Sequence, residues 1–161
     1  MSHLHGPRHH ESAVELAGVS LKYRGLVLIA PHVFTEKISL EGIAAVRSQY
    51  LTSDLRRKLA RHHGEKVDDT FQGWNDVWLN PEFRDWNIES CLPAVDVQML
   101  LIQGTHDEYG SLAQLDAIEA GVLPPVERLV LEGAGHSPHR EQSASVVDAI
   151  CRFVSQLSST P

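Results

Sequence analysis

Two short apolar runs that do not alternate with polar residues constrain this chain most. They are Leu26-Val27-Leu28-Ile29-Ala30, closed by Pro31, and Val97 to Gln103, which reads VQMLLIQ. A strand with one wet face alternates apolar and polar residues, whereas a strand covered on both faces reads as a continuous apolar run. Both runs are therefore expected to be strands buried between two layers. A third strand is read at Glu127 to Leu131 (ERLVL), ahead of the glycine-rich turn Gly133-Ala134-Gly135-His136. Helical patterns separate all three. A strand–helix–strand–helix order implies right-handed crossovers and a parallel sheet, so the fold class is α/β with a parallel sheet flanked by helices.

The stretch from Ser39 to Leu92 reads as mostly helical. Ser39 is taken as an N-cap, followed by Ile43, Val46, Tyr50 and Leu51 at helical spacing. A second short helix over Asp54 to His63 carries a run of basic residues and histidines, and a third over Asp68 to Leu79 carries Phe71, Trp74 and Trp78 on one aromatic face. Pro81, Phe83 and Trp86 follow in a looser segment ending at Pro93. Ser111 and Gln114 form a capping-box pattern that opens a helix through about Ala120. A closing helix is expected to bury Val147, Ile150, Val154 and Leu157, with Phe153 beside them. Residues 1–12 are polar and rich in histidine and read as a leader, and Ala13 to Tyr23 shows a weak helical pattern.

Composition removes several classes of function. At 161 residues the chain fits a single domain, and its net charge of −7 argues against a nucleic-acid partner, which needs a basic surface. No run approaches the ~20 apolar residues needed to span a bilayer, so no membrane association is expected. Cys91 and Cys151 lack metal-ligand spacing and read as reduced, partly buried thiols of a cytoplasmic protein. The leader histidines His3, His5, His9 and His10 read as a His-rich polar tail rather than as a metal site. No metal and no organic cofactor is implied.

In open α/β sheets, ligands bind beyond the carboxyl ends of the strands. Three chemically capable residues fall there: His32 past the first strand, Asp107 past the second and His136 past the third. A carboxylate and an imidazole on adjacent parallel strands come within hydrogen-bond reach. The carboxylate then accepts the Nδ1–H, fixes the tautomer and leaves Nε2 as a base. The plainer readings stand beside this one. Asp107 would merely cap the helix near Ser111, His136 would be a satisfied turn histidine, and Glu108 would replace Asp107. Phe71, Trp74, Trp78, Phe83 and Trp86 are either the core of the helical insertion or, in part, the wall of an apolar pocket.

The segments LVLIAP, MLLIQGTHDEYGS and ERLVLEGAGHSPHRE, with the helical insertion and the closing amphipathic helix, resemble the last three strands of the α/β-hydrolase fold. In that family the seventh strand typically ends in Gly-x-x-Asp, here Gly104 to Asp107, and the eighth in Gly-His-x-Pro, here Gly135 to Pro138. The resemblance covers about residues 24–157 and implies a helical lid at about 39–92. It implies Asp107 as the acid and His136 as the base of a Ser-His-Asp triad, with Phe71, Trp74, Trp78 and His32 as substrate-binding residues. The parent activity would be esterase-like hydrolysis of a small molecule with an apolar or aromatic acyl group. The family's nucleophile elbow, Gly-x-Ser-x-Gly, does not occur; the nearest echo, Gly18-Val19-Ser20-Leu21-Lys22, lacks the second glycine. The chain is accordingly expected to be inactive alone, as the later part of a truncated hydrolase. The alternative is a non-catalytic remnant that binds a small ligand or a protein. In either case Leu26–Ala30 would be a bare sheet edge prone to self-association.

Overall fold

The computed structural model describes residues 23–159. The leader, Ser20 and most of the segment Ala13 to Tyr23 lie outside the described residues. The elements are β1 (Gly25–Ile29), α1 (Lys37–Thr52), α2 (Leu55–His63), α3 (Val67–Leu79), β2 (Gln98–Gly104), α4 (Ala113–Gly121), β3 (Val126–Leu131), α5 (Pro138–Glu141) and α6 (Ser143–Ser159). Short 3₁₀ turns at Gly64–Lys66, Pro81–Phe83 and Glu89–Ala94 join the helices of the insertion and lead out of it.

The three strands form one parallel sheet in the order β1-β2-β3. Val27 pairs with Leu100 and Ile29 with Ile102 on one side of β2, and Ile102 pairs with Leu129 on the other. The central strand explains the unalternating run: Met99, Leu100, Leu101 and Ile102 are all fully buried. Successive side chains feed two separate layers. Leu28, Met99 and Leu101 pack with Leu92, Leu115 and Ile118 on one face. Leu100, Ile102 and Leu131 pack with Val146, Ala149 and Phe153 of α6 on the other.

Several local expectations are corrected. The first strand ends at Ile29. Ala30 leaves it in the left-handed region with φ of +50°, although its N–H still reaches the Ile102 carbonyl at 2.8 Å. A Cβ in that region costs of order 1 kcal/mol, and here the bend turns Pro31 and His32 over the carboxyl edge of the sheet. Ser39 is not a cap. The helix begins at Lys37, and the buried Ser39 hydroxyl instead donates to the Tyr109 carbonyl. The capping box is also rewired. Gln114 is diverted to the backbone of Val33 and Phe34, and the Glu36 carboxylate accepts from both the N–H and the hydroxyl of Ser111 at 2.9 and 2.6 Å. On α6, Val147 and Val154 face solvent while Val146, Ala149 and Phe153 form the buried stripe. The expected face was displaced because a one-residue shift rotates a helix by ~100°. Cys91 is half-buried and Cys151 is exposed rather than partly buried; neither is in a disulfide.

The helical insertion has its own small core of Tyr50, Val67 and Phe71, where Tyr50 and Phe71 stack with ring centroids 3.7 Å apart. Arg56 grips Asp68 through two nitrogens and the Tyr50 hydroxyl donates to the same carboxylate, which lowers the Asp68 pKa to about 2. The insertion leaves and rejoins the sheet layer through a narrow neck. Thr35 N–H donates to the Trp86 carbonyl at 3.0 Å and Ile88 N–H to the Val33 carbonyl at 2.7 Å, around an antiparallel bridge between Phe34 and Asn87.

No helix among the described residues is long and apolar enough to cross a membrane.

Candidate active site

Beyond the carboxyl end of β2 the chain turns through Thr105 to Gly110, and beyond β3 through Glu132 to Ser137. The two turns are joined by backbone. Thr105 N–H donates to the Leu131 carbonyl at 3.0 Å, and His106 N–H to the Ala134 carbonyl at 2.9 Å. Gly104 permits this closeness. A Cβ built there would lie 2.0 Å from the Ala134 carbonyl oxygen, so the glycine is needed for approach rather than for an unusual φ.

This juxtaposition delivers Asp107 to His136. The Nδ1 of His136 lies 3.0 Å from both carboxylate oxygens of Asp107. An ionised carboxylate only accepts, so Nδ1 is the protonated nitrogen and Nε2 is left without the proton, on a ring that lines the cavity. The Asp107 carboxylate also accepts from the Tyr109 N–H at 2.8 Å, the Gly110 N–H at 3.2 Å and the Gln103 side-chain amide at 3.2 Å. Burial pushes its pKa upward, but the hydrogen bonds from His136 and the two backbone N–H groups outweigh that and hold it below 3.8. It is therefore a buried, fully ionised partner for the imidazole. Glu108, the alternative acid, is exposed, as are His106 and His139.

Next to this pair lies a cavity of about 310 Å³ lined by His32, Ile43, Trp74, Trp78, Tyr109 and His136. His32 stands with its ring centroid 5.9 Å from that of His136 and 5.5 Å, edge-on, from that of Trp78. Burial first, and the neighbouring His136 second, lower the His32 pKa below 6.5, against a smaller upward pull from Asp107 and Glu36. Tyr109 meets the His136 ring edge-on at 4.8 Å. Trp78 is braced from behind by Phe83 and Trp86, which stack on each other at 5.3 Å.

Of the residues expected from sequence to bind substrate, His32, Trp74 and Trp78 line the cavity. Phe71 does not: it is buried in the insertion's own core against Tyr50 and meets Trp74 edge-on. The helical period that joined the three aromatics into one face cannot distinguish its inner flank from its outer one. Ile43 and Tyr109 line the cavity without having been singled out. Tyr109 carried a signal, since it lies two residues past Asp107 in the turn, whereas Ile43 reaches the site only through the docking of α1. No group of three or more metal-ligating side chains occurs among the described residues.

The fold is similar to that of known structures. The chain superposes on NosK from Streptomyces actuosus with a TM-score of 0.68 and 18% identity, covering 91% of this chain and 65% of that one. It superposes on a proline iminopeptidase from Mycobacterium smegmatis with a TM-score of 0.59 and 17% identity, covering 89% and 61%. For an enol-lactonase from Burkholderia xenovorans the TM-score is 0.58 and the identity 16%, covering 90% and 62%. The fold is that of the α/β-hydrolases. The chain spans less than two thirds of the length of each of these hydrolase-fold structures. No protein-family model and no curated protein matches the sequence.

Proposed function

We propose that this chain carries the acid–base half of an esterase-like hydrolase site, with His136 as general base, Asp107 as its orienting acid and the insertion as a lid over the acyl pocket. The observation that carries the reading is the 3.0 Å contact of His136 Nδ1 with both oxygens of a buried carboxylate, beside an aromatic cavity. A nucleophile hydroxyl placed near Nε2 would surrender its proton to His136 as it attacks the substrate carbonyl. The imidazolium, steadied by Asp107, would then protonate the leaving group. No Gly-x-Ser-x-Gly occurs in the sequence, so the reading assigns the nucleophile and the oxyanion donors to polypeptide beyond residues 1–161. The cavity wall holds no Lys, Arg, Asp or Glu, which favours an uncharged ester with an apolar or aromatic acyl group.

The chain alone should hydrolyse p-nitrophenyl butyrate no faster than buffer. Co-expression with a hydrolase-fold segment bearing a nucleophile elbow should yield turnover that His136→Ala lowers by about 10³-fold or more. Turnover of the assembled pair that survives His136→Ala overturns the base assignment. A second reading, a ligand-binding module, draws on Trp74 and Trp78 in the cavity wall. Saturable quenching of their fluorescence by an aromatic ester, without turnover in any assembly, would favour it.

A further inference from the structure

At the end of β2, the last side chain before the glycine that begins the Asp107 turn is Gln103, and it is fully buried. Its predecessors Met99 to Ile102 are all apolar. A polar side chain in such a place destabilises the fold unless its hydrogen bonds are made. The Gln103 amide nitrogen makes two, to the Gly110 carbonyl at 2.7 Å and to Asp107 Oδ2 at 3.2 Å, while its buried Oε1 has no partner among the described residues. Both partners only accept, so the nitrogen must face them. The two backbone N–H groups of the turn, from Tyr109 and Gly110, both go to the other oxygen, Oδ1. Among the described residues, Oδ2 therefore has Gln103 as its one partner besides His136.

We propose that Gln103 is a positioning residue of the Asp107–His136 pair, holding the carboxylate by its second oxygen so that both oxygens face Nδ1. The proposal rests on the reading of that pair as the acid–base half of the site. Without Gln103, Oδ2 has only His136 to hold it, and the carboxylate can turn further about its Cβ–Cγ bond, a broad torsion with little intrinsic preference. The Gly110 bond adds a second effect, since it draws the far end of the turn back onto β2 and keeps the Tyr109 and Gly110 N–H groups aimed at Oδ1. What the imidazole receives from this arrangement is a fixed tautomer with the proton on Nδ1. A looser carboxylate selects that tautomer less strongly.

Long-range ¹H–¹⁵N correlation spectra of the full chain report the His136 tautomer directly. The unsubstituted chain should show Nδ1 protonated. Gln103→Met, which keeps the volume and removes the donor, should lower the ratio of Nδ1–H to Nε2–H tautomer about tenfold, the factor expected for one hydrogen bond to a charged group. Asp107→Asn serves as the reference. If Asp107→Asn leaves the tautomer unchanged, the pairing itself fails. If Asp107→Asn shifts it and a folded Gln103→Met does not, the pairing stands and the positioning role is overturned. A purely structural Gln103 would lower the melting temperature without moving the tautomer ratio. Should Gln103→Met not fold, the unsubstituted chain still decides the matter. The Gln103 side-chain amide resonances should move as the Asp107 carboxylate is protonated in acid, and resonances that stay flat through that step overturn the proposal.

Discussion

Two ionisable side chains, the buried Asp107 and the half-buried His32, make the stability of this chain depend on pH in two separate windows. The folded pKa of Asp107 is held below its ordinary 3.8. The stability it contributes is thus fully present above that value and is lost as pH falls through the folded pKa, because the unfolded chain then binds the extra proton. His32 also has a lowered folded pKa, below 6.5. Here burial penalises the charged ring, so stability is complete above 6.5 and declines as pH falls from there toward the folded value. Urea denaturation followed across pH should show a decline starting below about 6.5 that His32→Phe removes, and a steeper one below about 3.8, shared with Glu36, Asp54 and Asp68, that Asp107→Asn lessens. A His32→Phe profile that still tracks the parent between those values would contradict the burial of a neutral imidazole.

At the scale of elements, the docking of α1 on the Asp107 turn is the contact that shapes the cavity. A Cβ at Gly42 would lie 2.5 Å from the Glu108 carbonyl oxygen and 3.0 Å from the Tyr109 ring. Replacing a mid-helix glycine by alanine ordinarily stabilises a helix by about 1 kcal/mol. Here the sign should reverse: Gly42→Ala is expected to destabilise by about 1–3 kcal/mol, the usual cost of overpacking, and to shift Ile43 and Tyr109 in the cavity wall. Thermal denaturation checks it, and a raised melting temperature would refute the close packing. This contact also shows why the sequence disclosed only part of the site. Asp107 and His136 were legible because parallel strands put their carboxyl ends in register, so a residue just past each strand has a defined place. Gly42, Ile43 and Gln114 owe their roles to where a helix lies in space, and helical periodicity reports which face is apolar but not what that face meets. Phe71 was misplaced for the same reason.

At the scale of the whole molecule, the sheet formed by the described residues has two edges, and β1 is one of them. The Ala30 N–H points to β2. By the alternation of a strand those of Leu28 and Leu26 do as well, which leaves the N–H groups of Val27 and Ile29 directed away from it. An uncharged edge strand of this kind is a template for pairing with another chain. Light scattering is expected to show concentration-dependent self-association, and Val27→Pro should suppress it, since proline there removes an outward N–H and leaves the β1–β2 ladder intact. Leu28 is unsuitable for this purpose because its side chain belongs to the core between sheet and α4. Monomeric behaviour at high concentration would count against pairing through this edge. The narrow neck of the insertion has a consequence of another kind. The segment from Glu36 to Asp85 is joined to the sheet layer by a few backbone hydrogen bonds around Phe34 and Asn87 and by the side-chain docking of α1 on the Asp107 turn, so few contacts define how it is exchanged. A foreign helical segment grafted there would remake the cavity wall without disturbing the sheet. It would need to bring three things: an acceptor where Glu36 meets Ser111, a hydroxyl where Ser39 meets the Tyr109 carbonyl, and a residue without a side chain where Gly42 lies against Glu108.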